Sequence, residues 1–569
     1  MTPELFFENF AHLSDAPNGV KKLRELILQL AVRGKLVPQN SNDAPAAKLL
    51  EQIQADKARI TKEKNIKKSD SLRLVSEDEI PHELPNGWQW VRLGACVEYD
   101  AAIKVDPKDI SDDDWLLDLE DIEKDTSNIL QRRTFKEKQS QSNKARFLVN
   151  DILYGKLRPY LNKVVVADSN GYCTTEIISL RCYCNISPHY IRLYLKNPDF
   201  LSYVNSKTYG VKMPRLGTED GKNALVSLPP PDEQHRIVAK VDQLMLLCDE
   251  LENRQQKKQT KLTRLNNATL DQLTSARKAD DFTTACQFVR DNFDLLYTTP
   301  ETIAKLRQSI LQLAVQGKLV PQDPNNEPAS VLLERIKVEK ERLVKEKKIR
   351  KSEPLPPVSA DEVPYELPEG WEIQRFVELA DIVGGVTKGR NLVGRNTASF
   401  PYLRVANVQR GYLGLDVMKE IEIPVDELEK YKLNIGDLLI TEGGDWDKVG
   451  RTAIWNCQID VCIHQNHVFR ARLFDVLMNR FWVMQFFNSS LGRRYFEKAS
   501  KQTTNLASIN MTQLRNCPVP IPPLEEQHRI VAKVDQLMTL CDNLEARLTK
   551  AQGKADKLTA STVQCLLAA

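Results

Sequence analysis

The sequence EQHRIVAKVDQLM occupies residues 233–245 and is repeated without a change at residues 526–538. A second segment is also nearly duplicated. LRELILQLAVRGKLVPQ at residues 23–39 returns as LRQSILQLAVQGKLVPQ at residues 306–322, with 14 of 17 positions identical. The chain is therefore predicted to contain one structural frame twice.

Two long inserts separate the repeated segments, and their sequences are unlike each other. Each follows a similar lead-in, ELPNGW or ELPEGW, in which Pro and Gly break a helix and open a new unit. A duplicated frame with two unlike inserts suits a protein that reads two different things at a fixed separation. The pattern predicts six regions: an N-terminal helical region (1–87), a first mixed α/β domain (88–232), a central spacer helix (233–280), a second helical region (281–370), a second mixed α/β domain (371–525) and a C-terminal helix (526–569).

Heptad spacing follows each insert and predicts a coiled-coil seam. Two seams in one chain most simply pack antiparallel around a pseudo-two-fold axis. The fold class is therefore predicted as α+β, with two mixed α/β domains separated by long antiparallel coiled-coil helices and a pseudo-two-fold internal repeat. Each such helix is long enough to act as a ruler between the two domains. Helices that only hold the domains together are the alternative, because heptads report packing and not purpose. The seam positions are Ile237, Val241, Leu244, Cys248, Leu251, Ile530, Val534, Leu537, Cys541 and Leu544.

The charge balance excludes a bulk polycation. The 569 residues include 80 Lys and Arg against 77 Asp and Glu, a net charge of +3, so a nucleic-acid surface would have to be local. Two lysine-rich stretches, residues 57–68 and 337–351, could touch DNA phosphate or a partner subunit, although their interleaved Glu residues favour a solvated helix face. No run approaches the ~20 apolar residues of a membrane span. The N-terminus lacks the pattern of a signal peptide, and the chain is predicted to be cytoplasmic.

In the first insert, residues 146–167 alternate apolar and polar residues around a turn and then cross a basic, aromatic-bearing loop. Residues 207–215 form a second candidate loop, with an irregular backbone at Gly210 and Pro214. Arg and Lys donate to guanine edges or phosphates, Asn pairs with adenine, and Tyr stacks on bases. An ordinary surface loop is the alternative. The candidate DNA-binding residues are Lys156, Arg158, Tyr160, Asn162, Lys163, Lys212 and Arg215.

The second insert offers three comparable segments, residues 402–411, the Gly-rich residues 443–451 and residues 501–505. Each is polar or basic, and the last lies just before the end of the insert, as residues 207–215 do in the first. A plain surface loop is the alternative for each of them. The candidates here are Arg404, Asn407, Gln409, Arg410, Trp446, Lys448, Arg451, Lys501, Gln502 and Thr503.

The sequence shows no motif for catalysis, nucleotide binding or metal binding. Cys182 and Cys184 form only a CxC, and His464 and His467 only an isolated HxxH, without the paired spacing of a structural zinc site. Neither GxxxxGK[ST] nor GxGxxG is present. The Asn-Pro-Pro-aromatic tetrapeptide of adenine methyltransferases is also missing. The chain is therefore predicted to be a reader with no catalytic residues and no cofactor of its own.

The motifs, taken together and in order, resemble those of the specificity subunit of type I restriction-modification systems. The resemblance rests on the repeated EQHRIVAKVDQLM, the GKLVPQ turns, the ELPxGW lead-ins and the exits SLPPPDEQ and PIPPLEEQ, and it covers essentially the whole chain. It implies that the inserts are target recognition domains, each reading one half of a split, asymmetric DNA site. It also implies that the helical spacers fix the unread gap between the halves.

The same resemblance implies partners and their cofactors. Two modification subunits would dock on the helical repeats and carry S-adenosylmethionine for adenine-N6 methylation, and restriction subunits would use ATP and Mg to translocate and cut DNA. YGKLRPYLNK resembles a segment of one class of recognition domain and YLRVANVQRG a segment of another, which implies two different half-sites. The competing hypothesis is a coiled-coil scaffold whose two variable domains bind proteins. It predicts no salt-sensitive, sequence-selective DNA binding.

Overall fold

The chain divides into two compact units. The first contains Met1–Lys258 and Ala551–Ala569, and the second contains Gln259–Lys550. Each unit therefore holds one copy of the repeated frame and one insert domain. The computed structural model describes residues 18–64, 72–210, 212–351, 353, 355–359, 362, 363, 365–475, 477–502 and 507–568.

Helices build the frame of both units and also occur within the inserts. In chain order they are α1 (Gly19–Val32), α2 (Ala46–Lys64), α3 (Leu93–Cys96), α4 (Phe135–Lys138), α5 (Pro188–Lys196), α6 (Pro198–Lys207), α7 (Thr218–Lys222), α8 (Pro231–Ser275), α9 (Ala279–Asp291), α10 (Phe293–Leu296), α11 (Pro300–Val315), α12 (Ala329–Lys345), α13 (Phe376–Leu379), α14 (Leu428–Tyr431), α15 (Arg480–Asn488), α16 (Ser490–Ala499), α17 (Met511–Asn516) and α18 (Leu524–Ala568).

The strands are short and belong mainly to the two inserts. They are β1 (Gln89–Arg92), β2 (Val97–Tyr99), β3 (Ile103–Val105), β4 (Trp115–Leu117), β5 (Arg133–Thr134), β6 (Lys144–Phe147), β7 (Ile152–Gly155), β8 (Val164–Val166), β9 (Gly171–Cys173), β10 (Ile177–Cys182), β11 (Leu225–Leu228), β12 (Glu372–Arg375), β13 (Ala380–Val383), β14 (Thr397–Leu403), β15 (Lys419–Pro424), β16 (Leu438–Thr441), β17 (Gly443–Gly444), β18 (Thr452–Ile454), β19 (Ile463–His464), β20 (Val468–Leu473), β21 (Lys501–Gln502), β22 (Ala507–Ser508) and β23 (Pro518–Ile521).

The repeated LRELILQLAV segment forms the same amphipathic helix in both units, as α1 and α11. In α1, Leu23, Leu26, Ile27 and Leu30 recur at the i, i+3, i+4, i+7 spacing of one helix face, and all four are buried. The seam residues of the long helix α8 lie in the same hydrophobic cluster as this face. The second unit repeats the arrangement. In the first unit the buried seam residues are Ile237, Val241, Leu244 and Cys248, and Leu251 is partly buried. In the second unit Ile530, Val534 and Cys541 are buried, and Leu537 and Leu544 are partly buried.

Each long helix begins in one unit and ends in the other. Each has 45 residues, which corresponds to a length of about 68 Å at ~1.5 Å per residue. The lysine of each GKLVPQ turn closes the end of the long helix that finishes in its own unit. Lys318 Nζ donates to the carbonyl oxygens of Thr274 at 3.3 Å and Ala276 at 2.7 Å, and Lys35 Nζ donates to that of Leu567 at 2.9 Å. An ammonium group at this position donates hydrogen bonds to the unpaired carbonyl oxygens and interacts favourably with the negative end of the helix dipole.

The glutamate of each EQHRIVAKVDQLM repeat joins the frame to its insert. Glu233 accepts hydrogen bonds from Trp88 Nε1 of the ELPNGW lead-in at 3.0 Å and from Gln39 Nε2 of the GKLVPQ turn at 2.7 Å. Burial raises the pKa of Glu233, although both hydrogen bonds act in the opposite direction. Glu526 makes the same two kinds of contact in the second unit. The three repeated motifs are therefore parts of one joint.

Both inserts contain a four-stranded antiparallel sheet of the same topology, although their sequences differ. The strand order β2-β10-β7-β8 of the first corresponds to β13-β20-β16-β18 of the second. In each domain, a carboxylate directly before the third strand in this order forms an ion pair with an arginine of the second strand. Asp151 accepts from Arg181 Nε and Nη2, both at 2.8 Å, and Asp437 accepts from Arg472 Nε and Nη2 at 2.7 and 2.8 Å. The two inserts thus share one scaffold.

The other sheet distinguishes the inserts. The first insert has five strands in the order β3-β6-β9-β4-β5, whereas the second has three, β15-β14-β19. Both keep one parallel pair, β4 with β9 and β14 with β19. The strands that begin and end each insert pair with each other, β1 with β11 and β12 with β23. Because an insert leaves and rejoins the frame at one point, its sequence can vary without changing the frame.

The two lysine-rich stretches are held partly against their own units. Lys57 Nζ donates to the carbonyl oxygens of Gly94 and Ala95, both at 3.3 Å. At the equivalent position, Lys340 Nζ pairs with Glu378 at 2.6 Å. These two lysines therefore support the insert domain rather than form a wholly solvated face. Residues 65–68 of the first stretch lie outside the described residues.

Candidate nucleic-acid interface

The two candidate loops of the first insert lie side by side. Residues 156–163 follow β7, residues 208–216 follow α6, and backbone hydrogen bonds join them. Arg158 N donates to Pro214 O at 2.7 Å, and Leu216 N donates to Lys156 O at 3.1 Å. Segments that are about fifty residues apart in the sequence thus form one surface. We call these two segments the first loop pair.

The exposed side chains of the first loop pair are basic, aromatic and sulfur-containing. Arg158 is exposed at a left-handed backbone position, with φ of 50°. Within the described part of the chain, its guanidinium and the Lys212 ammonium make no hydrogen bond or ion pair. Tyr160, Tyr209 and Met213 are also exposed, Tyr209 by 60%. Sequence reasoning named the loop that contains Tyr209 and Met213 but not these residues, because the alternation of apolar residues does not show which of them face solvent.

The side chains of three other candidates in the first insert, Asn162, Lys163 and Arg215, already have hydrogen-bond partners within the protein. Asn162 Nδ2 donates to Lys196 O at 3.3 Å, and Lys163 Nζ donates to Leu119 O at 2.6 Å. Burial lowers the pKa of Lys163. These contacts fix the loop after β7 to the body of the domain.

Arg215 forms a two-pronged ion pair that fixes the other loop. Its Nε and Nη2 donate to the two carboxylate oxygens of Glu176 at 3.1 and 2.8 Å. This hydrogen bonding lowers the pKa of Glu176 against the opposing effect of burial. Arg215 therefore fixes the loop in which Pro214 accepts a hydrogen bond from the backbone N–H of the exposed Arg158. Lys156, the remaining candidate of this insert, is half-buried.

The second insert builds an equivalent loop pair from different residues. Residues 442–451 follow β16, as 156–163 follow β7, and residues 500–510 follow α16. Ile509 N donates to Glu442 O at 2.9 Å, which matches the bond from Leu216 N to Lys156 O. Strands β17, β22 and β21 then form a small sheet between the two segments. We call these segments the second loop pair.

The carboxylate of Asp447 gathers three arginines in the second loop pair. It accepts from Arg451 Nη2 at 3.0 Å and from Arg493 Nη2 at 2.9 Å, and it lies 3.6 Å from Arg410 Nη2. Burial would raise the pKa of Asp447, but the hydrogen bond from Arg451 and the neighbouring positive charges hold it below its usual value. Arg451 Nη1 also donates to Gln409 Oε1 at 2.7 Å. Residues 402–411 are thereby joined to the loop that follows β16.

The remaining candidates of the second insert are placed in different ways. Asn407 is buried and donates to Gly414 O at 2.8 Å, while Arg404 Nη2 donates to Val417 O at 3.0 Å, so both hold a turn. Lys448 Nζ pairs with Asp445 at 2.5 Å. Lys501 is exposed. Thr503 and the side chains of Trp446 and Gln502 lie outside the described residues.

Neither a metal centre nor a membrane segment is found in the part of the chain that the structure describes. There, no group of three or more His, Cys, Asp and Glu side chains is positioned to hold a metal ion. Nor is any described helix long and apolar enough to cross a bilayer. The exposed side chains of the loop pairs are mainly basic and aromatic, and such side chains suit contact with nucleic acid.

The chain is similar to known proteins over most of its length. A profile described as the type I restriction modification DNA specificity domain matches residues 86–262 and 368–551. The specificity subunits of the Escherichia coli type I restriction enzymes EcoEI and EcoAI are both 34% identical to the chain. The matches cover 94% and 93% of this chain and 91% and 90% of those proteins. A solved chain from a structural description of complex assembly and conformational transition of the type I R-M system has the same fold, with a TM-score of 0.50 at 20% identity over 86% of this chain and 99% of that chain. The chain belongs to the family of type I restriction-modification DNA specificity subunits.

Proposed function

We propose that each insert domain, residues 88–232 and 371–525, reads one half of a bipartite, asymmetric DNA site through its loop pair. The observation that supports this most strongly is the equivalence of the two loop pairs. Each loop pair follows the equivalent strand of the equivalent four-stranded sheet in its own domain. The two pairs nevertheless display different side chains. Equal scaffolds with unequal surfaces are what two different half-sites require.

The exposed residues have the chemistry for this role. In the first loop pair, Arg158 and Lys212 would donate to guanine edges or phosphates, and Tyr160 and Tyr209 would contact base or sugar faces. In the second, Lys501 is an exposed cation with the same chemistry. The candidates that already have protein partners would act by positioning the loops. Specificity would then come from base edges, whereas most of the affinity would come from phosphates and would fall with added salt.

The helical frame is proposed to dock two modification subunits and to set the gap between the half-sites. Two leucines at equivalent positions of the long helices support two equal docking points. Leu247 is 42% exposed and Leu540 is 58% exposed. An exposed apolar residue repeated in both copies of a frame suits two copies of one partner.

The partners are proposed to supply the chemistry. The modification subunits would hold S-adenosylmethionine and methylate adenine at N6, and restriction subunits would use ATP and Mg to translocate and cut DNA in the cytoplasm of a bacterium or archaeon. This chain would then be a non-catalytic recognition subunit. The support is the family to which the chain belongs.

The experiment is a comparison of adenine methylation across the genome. A host without its own methylation would express the neighbouring methyltransferase with or without this chain, and single-molecule sequencing would map the modified adenines. We expect a new split motif that appears only with this chain. Absence of any motif, with the complex shown to be assembled, would favour a scaffold whose two variable domains bind proteins.

A further inference from the structure

A cavity of about 160 Å³ opens beside the second loop pair, between the loop after β16 and helix α16. Its volume admits several water molecules or one tetrahedral oxyanion. Three of its six lining residues are arginines. The lining residues are Arg410, Val449, Ser490, Arg493, Arg494 and Glu497.

The cavity carries more positive than negative charge. Asp447 is shared by Arg410, Arg451 and Arg493, so one carboxylate faces three guanidinium groups. Arg494 adds a fourth guanidinium group and Glu497 a second carboxylate, so the positive groups still outnumber the negative ones. Arg494 Nε donates to the Ser490 carbonyl at 3.3 Å, and within the described residues Arg494 forms no ion pair. An anion in the cavity would therefore meet a net positive field.

Arg410 has a buried guanidinium nitrogen whose hydrogen-bonding capacity is unused by the described residues. Its Nη2 donates to Asp447 O at 2.7 Å, but its Nη1 is buried and has no hydrogen-bond partner among the described residues. Burial, and then repulsion by Arg493, lowers the pKa of Arg410 to about 10. The guanidinium is thus still charged at neutral pH, in surroundings that disfavour the charge. A bound anion would relieve that cost.

We propose that this cavity binds a phosphate group of the DNA backbone and so anchors the duplex next to the second loop pair. The inference rests on the proposed function. Arginine suits the ligand because its planar fork donates two parallel hydrogen bonds to phosphate oxygens. Such a contact fixes the position of the duplex and carries no sequence information. Glu497 opposes the anion, which makes its removal an informative variant.

The first test compares Arg494→Gln with Arg515→Gln in the assembled methyltransferase. Both residues are exposed arginines of the second unit, but Arg515 does not line the cavity. Arg494→Gln is expected to weaken binding of target and non-target duplexes equally. It should also reduce the slope of log K against log salt by about 0.9, the loss of one phosphate contact. Glu497→Gln should tighten binding. Equal slopes for wild type and Arg494→Gln, or the same change in both arginine variants, would overturn the assignment.

The second test identifies the source of the phosphate. Thermal unfolding of the full chain would be compared in inorganic phosphate and in chloride of the same ionic strength. Stabilisation by phosphate that is lost in Arg494→Gln supports the site. If phosphate stabilises the chain but the DNA salt slope does not change, the cavity is a free-anion site and the DNA assignment is wrong. A wild-type complex that fails to bind any DNA would instead refute the proposed function.

Discussion

Replacing Glu526 by alanine tests the joint between frame and insert. Glu526 accepts from Trp371 Nε1 at 3.1 Å and from Gln322 Nε2 at 2.8 Å. Gln322 is exposed and can turn to water, but Trp371 is only 6% exposed. Its N–H would be left buried without an acceptor, which costs about 1–3 kcal/mol. We therefore expect Glu526→Ala to lower the free energy of unfolding by about that amount.

The assay is equilibrium urea unfolding followed by circular dichroism, with two comparison variants. Glu525→Ala removes a neighbouring exposed carboxylate and should change the free energy of unfolding by no more than about 0.5 kcal/mol. Glu526→Gln keeps an acceptor for Trp371. Because burial raises the pKa of Glu526, loss of its charge is inexpensive, and this variant should remain close to wild type. Equal stability of the two alanine variants would refute the reasoning, as would a glutamine variant no better than alanine.

Two further predictions concern the frame and its acid stability. Leu247→Asp and Leu540→Asp each place a charge on an exposed helix position, so each variant should still fold. Each should bind one modification subunit instead of two, as measured by native mass spectrometry. Two bound copies in both variants would contradict the docking proposal. Hydrogen bonding from Arg375 lowers the pKa of Glu362 from 4.5 to about 2. The ionised form is therefore favoured by folding, and its contribution is present above pH 4.5 and is lost as the pH falls towards 2. Urea midpoints between pH 2 and 6 should consequently depend less on pH in Glu362→Gln than in wild type, and identical profiles would contradict the assignment.

The repeated frame could be predicted from the sequence because its signals are local. The spacing of Leu23, Leu26, Ile27 and Leu30 alone indicates a helix with one buried face. The heptads do the same for the long helices. What the spacing does not show is which surface a seam packs against. In the first unit the seam of α8 shares a core with α1, so the buried partners come from the same repeat unit.

The common scaffold of the inserts could not be predicted from their sequences. A sheet needs alternation and register rather than particular residues, so two unlike sequences can form the same strand order. The ion pairs of Asp151 with Arg181 and of Asp437 with Arg472 are visible only once β7 and β10, or β16 and β20, are paired.

The candidate interface was predictable in location but not residue by residue. Residue type identified basic loops, yet it could not distinguish Arg158, whose guanidinium makes no hydrogen bond or ion pair among the described residues, from Arg215, whose guanidinium is paired with Glu176. That distinction depends on a carboxylate 39 positions away. Asn407 illustrates the same limit, since its amide is used within a turn.

The most direct test of the account is the methylation motif of a variant altered in one loop pair. Arg158→Ala combined with Tyr209→Ala removes two exposed side chains of the first domain and leaves the second untouched. Single-molecule sequencing is expected to show a motif relaxed or lost in one half-site, with the other half-site and the gap unchanged. A motif altered in both halves, or in neither, would contradict the claim that each loop pair reads its own half of the DNA site.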